Sequence, residues 1–293
     1  MNPLKIFNRN RWDLAFFEEA KLQSVVDGDY SSVHWMKYKD RSRWFADPFI
    51  LSVENDTITV LVEELSYSLN KGRIAKLVVD RNTWELIEMK IILELPTHLS
   101  FPMIFRQKDN IIIIPENSAS GKSVAYLYNP LDDSMTPHGT VCDDPITDAT
   151  ILEMENKYYM LATAVPEPNG NEMSVYSFDP DSLKATKINT ISFDRPIARN
   201  AGSPFNHRGT IYRPAQDCDG AYGKGVVLQK VNYNNSTGDL TFTDEGLIYP
   251  FSFNYHLGLH TLNTHDGMCV IDGRGLLYPI LGRIVRPLIS IFH

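Results

Sequence analysis

Ala46-Asp47-Pro48-Phe49-Ile50-Leu51, the turn Glu54-Asn55-Asp56 and the run from Thr57 to Leu65 spell a strand, a tight polar turn and a second strand. The plan returns four times. Ser100 to Phe105 leads through Lys108-Asp109-Asn110 into Ile111 to Glu116, and Asp148 to Leu152 leads through Glu155-Asn156-Lys157 into Tyr158 to Thr163. Ala201 to Phe205 leads through His207-Arg208-Gly209 into Thr210 to Gln216, and Leu259 to Asn263 leads through His265-Asp266-Gly267 into Met268 to Asp272. Counted from Asp47, Phe101, Asp148, Gly202 and His260, the steps are 54, 47, 54 and 58 residues. A repeat of this length, made of antiparallel hairpins, is the mark of a blade.

A third strand with period-two alternation follows in four units, at 74–79, 124–128, 173–178 and 226–231. Connecting stretches such as Trp84 to Ile87 and Leu240 to Thr243 offer a fourth. Regular amphipathic helices are missing between the strands, which argues against a doubly wound α/β sheet, and solenoid repeats are usually shorter. The expected fold is therefore all-β, a five-bladed β-propeller with a short C-terminal apolar tail. Residues 1–39 form an N-terminal segment, 40–275 the propeller and 276–293 the tail. The fifth unit lacks strands, and Ser32 to Tyr38 is the stretch expected to supply one and close the ring.

The chain has 293 residues, 43% hydrophobic and 22% charged, enough apolar material for a large core. Its net charge of −8 argues against nucleic acid as a partner, because phosphate neutralisation needs a basic footprint. Cys142, Cys218 and Cys269 lie far apart and make no CxxC pair, which suits a reducing compartment. Residues 1–20 contain no apolar signal region, so a cytoplasmic location is expected. Leu276 to Phe292 is apolar, with Arg283 and Arg286 but no acid. It reads as a last strand with a docked helix or, alternatively, as an interfacial anchor giving peripheral contact at the inner membrane face.

In a propeller the innermost strand of each blade lines the central axis, so polar residues at those strand starts converge. Here they are Asp47, His98 and Ser100, Asp148, Arg199 and Asn200, and His260 and Asn263. The second strands end in Glu63 and Glu64, Glu116, Arg213 and Gln216, and Asp272. A register slip of one residue would exchange Glu63 and Glu64 at the axis, and Glu64 is taken as the hub residue. One such residue alone is an ordinary turn former. The set is either a network tying blades together or a polar pocket. Carboxylates, arginines, histidines and nearby aromatics (Trp44, Phe45, Phe101, Tyr212, Tyr222) suit a hydroxyl-rich ligand such as a sugar, and paired carboxylates are the minimum for chemistry at an anomeric carbon. The histidines follow no metal-binding spacing, so no metal and no cofactor is expected, a mixed His/Asp metal at the hub being the weaker reading. No P-loop, GxGxxG or GxSxG motif occurs.

Taken in order, Trp44-Phe-Ala-Asp-Pro-Phe49, Val62-Glu-Glu-Leu65, Lys71-Gly-Arg-Ile74, His98-Leu-Ser-Phe-Pro102, Pro115-Glu116, Asp148-Ala-Thr-Ile151, Ala198-Arg-Asn-Ala-Gly202, Tyr212-Arg-Pro-Ala-Gln-Asp-Cys218, Tyr222-Gly223 and Gly258-Leu-His-Thr-Leu-Asn263 form one series. From about residue 40 to 273 it resembles the N-terminal domain of glucosamine inositolphosphorylceramide transferase and bacterial stand-alone relatives of that domain. The resemblance implies a five-bladed propeller, distantly similar to the arabinanase, xylosidase and invertase glycosidases. It implies Asp47 as base or nucleophile and Asp148 as modulator of an acid. The fourth-blade acid of those glycosidases has no counterpart, Arg213-Pro-Ala-Gln216 standing in its place, and Glu116 is our own substitute as acid. The plant transferase activity is credited to a separate C-terminal domain.

The expected function is thus glycosyl transfer on a glycan or glycolipid in cell-surface polysaccharide assembly, with a sugar or glycolipid, phosphate-bearing in one version, as the partner. Catalysis would fall to Asp47, Glu116 and Asp148. Substrate would be held by Glu64, His98, Arg199, Asn200, Arg213, Gln216, His260, Asn263 and Asp272, with Arg199 and Arg213 clamping an anionic group. The alternatives are a propeller-type glycoside hydrolase and a non-catalytic sugar-binding module.

Overall fold

The computed structural model describes residues 9–284. Five four-stranded antiparallel sheets stand around a central axis. Blade one is β3 (Arg43–Val53), β4 (Thr57–Ser66), β5 (Lys71–Asp80) and β6 (Leu86–Leu93). Blade two is β7 (Ser100–Gln107), β8 (Asn110–Glu116), β9 (Ser123–Asn129) and β10 (Ser134–Cys142). Blade three is β11 (Ile146–Met154), β12 (Lys157–Ala164), β13 (Glu172–Asp179) and β14 (Lys184–Ser192), and blade four is β15 (Phe205–His207), β16 (Thr210–Asp217), β17 (Gly225–Tyr233) and β18 (Leu240–Ile248).

Blade five is composite. Its inner strands β19 (Leu262–His265) and β20 (Met268–Leu276) are completed by β1 (Asn10–Glu18) and β2 (His34–Trp35) from the other end of the chain. Ring closure rests on β1, which pairs with β20 over nine positions from Asn10↔Leu276 to Glu18↔Met268. The stretch Ser32 to Tyr38 contributes β2, held by two pairs to β1. The reason β1 carries the seam is visible in its burial. Leu14 and Phe16 point into the core shared with blade one, while Ala15 and Phe17 point into the core shared with blade four. A strand sandwiched between two blades is apolar on both faces, and a fully buried Phe contributes about 1.5–3 kcal/mol. The charged residues before Leu14 mask that short run in the sequence. Outer strands behave oppositely: β14 is exposed at most of its positions.

One five-residue helix, α1 (Leu22–Val26), packs Leu22 and Val25 into the same seam. Residues 279–284 are helical. The remainder of the apolar tail, 285–293, lies outside the described residues.

The inner strands of blades one to three carry the same irregularity. Between Ala46 and Phe49, Ser100 and Met103, and Thr147 and Thr150 the ladder skips forward. In each skip the first residue is left-handed: Asp47 at φ 51°, Phe101 at φ 42° and Asp148 at φ 45°. Such a bulge re-aims a side chain next to a site, and the left-handed region costs a non-glycine residue of order 1 kcal/mol. Three equivalent blades therefore bend at the same depth. Two of the bends present an aspartate.

Candidate functional site

Asp47 on blade one and Asp148 on blade three are buried at the axis. Asp47 Oδ1 accepts from Thr261 Oγ1 at 3.0 Å, and Oδ2 accepts from the Phe101 amide at 3.2 Å. Asp47 thereby joins blades one, two and five. Burial pushes its carboxyl up to about 7, with the charge of His260 pulling down and those of Glu63, Asp148 and Asp272 pushing further up. His260 donates from Nδ1 to Asp272 Oδ2 at 2.6 Å, and its Nε2 lies 3.7 Å from Asp47 Oδ1. Burial disfavours the imidazolium, but Asp272 and Asp47 together raise His260 above its ordinary value. Asp272 Oδ1 takes the amides of His260 and Thr261, each at 3.0 Å, and Oδ2 takes the Asp47 amide at 3.2 Å. Trp12 from β1 stacks on the His260 ring at 3.9 Å.

Across the axis, Arg199 donates from Nε and Nη2 to Asp148 at 2.5 and 3.3 Å, and Gln216 Nε2 donates to Asp148 Oδ2 at 2.8 Å. Glu116 lies beside this pair. Its Oε2 accepts from the Asp148 amide at 3.4 Å and sits 3.6 Å from Arg199 Nη2. Burial, reinforced by the charge of Asp148, holds Glu116 well above the usual carboxylate range. The Tyr222 ring lies 5.1 Å from the Arg199 guanidinium and meets His260 edge-on at 5.3 Å. At the mouth, His98 is half exposed. Its Nδ1 accepts the Gly72 amide at 3.1 Å, so Nε2–H donates to Glu63 Oε1 at 3.0 Å. A Cβ at Gly72 would come within 2.4 Å of the Leu99 carbonyl, so glycine there lets the His98 loop close on blade one.

The axis thus gathers Asp47, Glu116, Asp148, Arg199, His260 and Asp272 of the expected set, with His98 at the rim. The structure holds the five others in protein contacts away from the open axis. Glu64 turns away from the axis: both oxygens are taken by Arg43 (2.9 Å) and Arg73 (2.9 and 3.0 Å) inside blade one. Its neighbour Glu63 faces His98 and Asp47 instead, because alternate strand positions face opposite ways. Arg213 is fully buried in blade four, its guanidinium committed to protein acceptors. It donates to Asn200 Oδ1 at 2.7 Å, Gln229 Oε1 at 2.5 Å and the carbonyls of Ile197 and Ala198, between the rings of Phe193 and Phe242. Asn200 donates to the Asp148 and Leu161 carbonyls, tying blade four to blade three. Asn263 donates to the Pro48 carbonyl and accepts the Ser203 amide, tying blade five to blades one and four. A Cβ on Gly202 would sit 2.0 Å from the Leu262 carbonyl, so the junction also requires glycine. Gln216 is wholly buried and supports Asp148 from within.

Two residues escaped the sequence reading, Thr261 and Trp12, and Glu63 stands there as the register alternative to Glu64. Thr261 follows His260 directly and could have been suspected from that position. Trp12 could not, because nothing local assigns the N-terminal segment to the axis. Asp47, His260 and Asp272 offer donor atoms all within 4.8 Å of one another, the geometry of a metal site. Most of those atoms already serve hydrogen bonds: Asp272 takes three amides and the imidazole, which describes a closed polar cluster rather than a vacant ligand set.

The model of the family described as glucosamine inositolphosphorylceramide transferase 1, N-terminal, matches residues 30–240. The chain belongs to that family. Matched residues run from the entry to blade one into β18 and stop short of β19 and β20. The curated glucosamine inositolphosphorylceramide transferase 1 of Arabidopsis thaliana is 32% identical over 199 residues, and that of Oryza sativa subsp. indica is 30% identical over the same length. Each alignment takes in 65% of this chain and 26% of the relative, so the chain spans about a quarter of the curated proteins it matches. Among solved structures, a GH43 β-xylosidase/α-arabinofuranosidase from a compost microbial metagenome superposes with TM-score 0.57 at 11% identity, covering 82% of this chain and 93% of that one. The RS223 β-xylosidase gives 0.56 at 9% identity, with 81% and 94% covered. A GH43 β-1,3-galactosidase solved with galactodeoxynojirimycin gives 0.52 at 9% identity, with 70% and 77% covered. At such identities the likeness establishes the shared propeller fold.

Proposed function

We propose that the propeller hub binds a sugar and that the protein is a carbohydrate-active enzyme of the glycosyl-transfer type, working in the assembly of a surface glycan or glycolipid. The observation that carries this reading is the presence at one axis of two carboxyls with raised proton affinity, Asp47 on blade one and Glu116 on the adjacent blade two, beside Asp148, Arg199 and Tyr222. A carboxyl whose hold on its proton is strengthened by burial can give that proton to a leaving-group oxygen, and one poised near 7 can take the proton of an attacking hydroxyl. Glu116 is assigned the first role and Asp47 the second. Asp148 fixes Arg199, whose guanidinium faces Glu116 and would meet a phosphate on the donor. Arg213 has no part in this. The curated relatives carry a transferase name, which favours transfer over hydrolysis.

One observation favours a second reading, a non-catalytic sugar-binding module. Gln216, in the blade-four place where the resemblance to propeller glycosidases expects an acid, is committed to Asp148 and to the Asn200 carbonyl. The deciding experiment incubates the protein with nucleotide sugars and glycan or glycolipid acceptors and follows release of the nucleotide. Turnover that is lost in Asp47→Asn and Glu116→Gln supports the enzyme. Ligand binding that persists in wild type without turnover of any donor supports the module.

A further inference from the structure

We infer that the cleft between the end of blade five and the segment entering blade one docks on a membrane surface carrying anionic phospholipid, whose phosphate it holds. This cleft has a volume of about 410 Å³ and is lined by Arg11, Tyr38, Lys39, Arg41, Tyr255 and Leu276, with Leu277 and Pro279 at its apolar end. Its lining contains three cations and no carboxylate. In a chain of net charge −8 such a local excess is the part of the surface able to attract an anion.

The cations are not equivalent. Arg11 lies over the Tyr38 ring at 4.1 Å and is paired with buried Asp13 at 3.0 Å. Asp13 also accepts the Tyr255 hydroxyl at 2.5 Å, so its carboxylate is engaged within the protein, while Arg11 Nε has no hydrogen-bond partner among the described residues. Lys39 and Arg41 are exposed and have no carboxylate within ion-pair distance among the described residues. Arg41 leans over the Tyr278 ring at 5.1 Å. The one acid in their loop, Asp40, is turned to Arg43 at 2.7 Å. The Tyr38 hydroxyl is buried on the cleft wall and has no hydrogen-bond partner among the described residues. Two unpaired, exposed cations beside one cavity are free to donate to a phosphate oxygen.

A second, independent feature selects a bilayer over a free phosphate ester. The helix at 279–284 begins at Pro279 on the cleft and exposes Ile280 by 69%, Leu281 by 49% and Ile284 by 61%. Arg283 packs over Phe253 at 3.8 Å and donates to its carbonyl at 2.7 Å, bringing a further large apolar side chain, 61% exposed, to the same ledge. Four exposed apolar side chains bordered by Arg283, Arg41 and Lys39 match an interfacial element, with hydrocarbon below and phosphates beside it.

The test is flotation of the whole chain with phosphatidylcholine vesicles and with vesicles of phosphatidylcholine and phosphatidylserine. Wild type is expected to float with the anionic vesicles, to stay behind with the neutral ones, and to be released by salt. Lys39→Ala with Arg41→Ala should lower the partition coefficient about 30-fold, at roughly 1 kcal/mol per basic residue. Ile280→Ser with Ile284→Ser should lower it as well, while the salt dependence stays. All four side chains are exposed or cleft-facing, and circular dichroism of each variant checks that the fold is kept. Equal flotation with both vesicle types, flotation unchanged in Lys39→Ala/Arg41→Ala, or no flotation at all would overturn the inference. So would calorimetric binding of soluble glycerol phosphate without vesicle association, which would assign the cleft to a free phosphate ester.

Discussion

His260 Nδ1 and Asp272 Oδ2 meet at 2.6 Å at the centre of the ring, and through them the last blade grips the first. Asp272 receives the Asp47 amide with its other contacts, so the carboxylate that orients the imidazole also fixes the strand bearing the proposed base. The seam of the propeller and its candidate chemistry are one cluster. Changes at this centre should therefore be read by their pH dependence as well as by their size.

Asp47 is pushed up to about 7 in the folded hub from an ordinary 3.8, so the folded state binds its proton more tightly than the unfolded state does. Its ionisation therefore opposes folding progressively as pH rises from about 4 to about 7. The raised His260 acts in the same direction: its contribution is complete below its ordinary value of 6.5 and is lost as pH rises through its folded value. Asp47→Asn removes the first contribution. Urea titrations at pH 4.5 and pH 7.5 should show the variant gaining stability relative to wild type as pH rises. A constant difference would contradict the raised carboxyl.

Arg213→Met should destabilise the protein by about 3 kcal/mol, because Asn200, Gln229 and two buried carbonyls lose their donor. It should leave the affinity of any hub ligand unchanged at temperatures where the variant is folded. Arg199→Met, by contrast, should weaken an anionic ligand at least tenfold. Denaturation midpoints paired with calorimetric titrations separate the two.

Glu64→Gln breaks a buried contact with Arg43 and Arg73 and should cost about 3 kcal/mol without altering ligand binding. Glu63→Gln should be mild in stability and should instead change binding and its pH profile, because Glu63 holds the rim histidine. The same pair of measurements decides the register at the axis.

Trp12→Ala should cost about 3–5 kcal/mol by opening a cavity against His260. A larger loss than that of an average core residue is expected in ligand affinity too, since the ring it supports lies in the hub. Thermal unfolding and hub titration of this variant test whether the N-terminal strand is part of the site.

Much of this was legible in the chain because hairpin turns and period-two strands repeat at a blade's length. The aspartates Asp47 and Asp148 were visible too, as acidic residues at the same strand position in the first and third units. What stayed hidden depended on geometry across the ring. Strand β1 reads as a charged N-terminal segment because its apolar run, Leu14 to Phe17, is only four residues long and has its partner strand more than 250 positions away. Glu63 and Glu64 differ by one step of register, which strand chemistry alone does not set. Arg213 has the composition of an anion clamp, and its diversion to carbonyls follows from the inward turn of the segment around Ile197 and Ala198, which no local pattern announces.

The central claim is that a sugar ligand enters the hub between Asp47, Glu116 and Arg199. Its most direct test is a thermal-shift screen of nucleotide sugars, sugar phosphates and oligosaccharides against wild type, Glu116→Gln, Arg199→Met and the outlying Lys39→Ala/Arg41→Ala. The account predicts a stabilising nucleotide sugar or sugar phosphate whose shift is lost in Arg199→Met, reduced in Glu116→Gln and retained in Lys39→Ala/Arg41→Ala. A sugar ligand whose shift is untouched by both hub substitutions would contradict it.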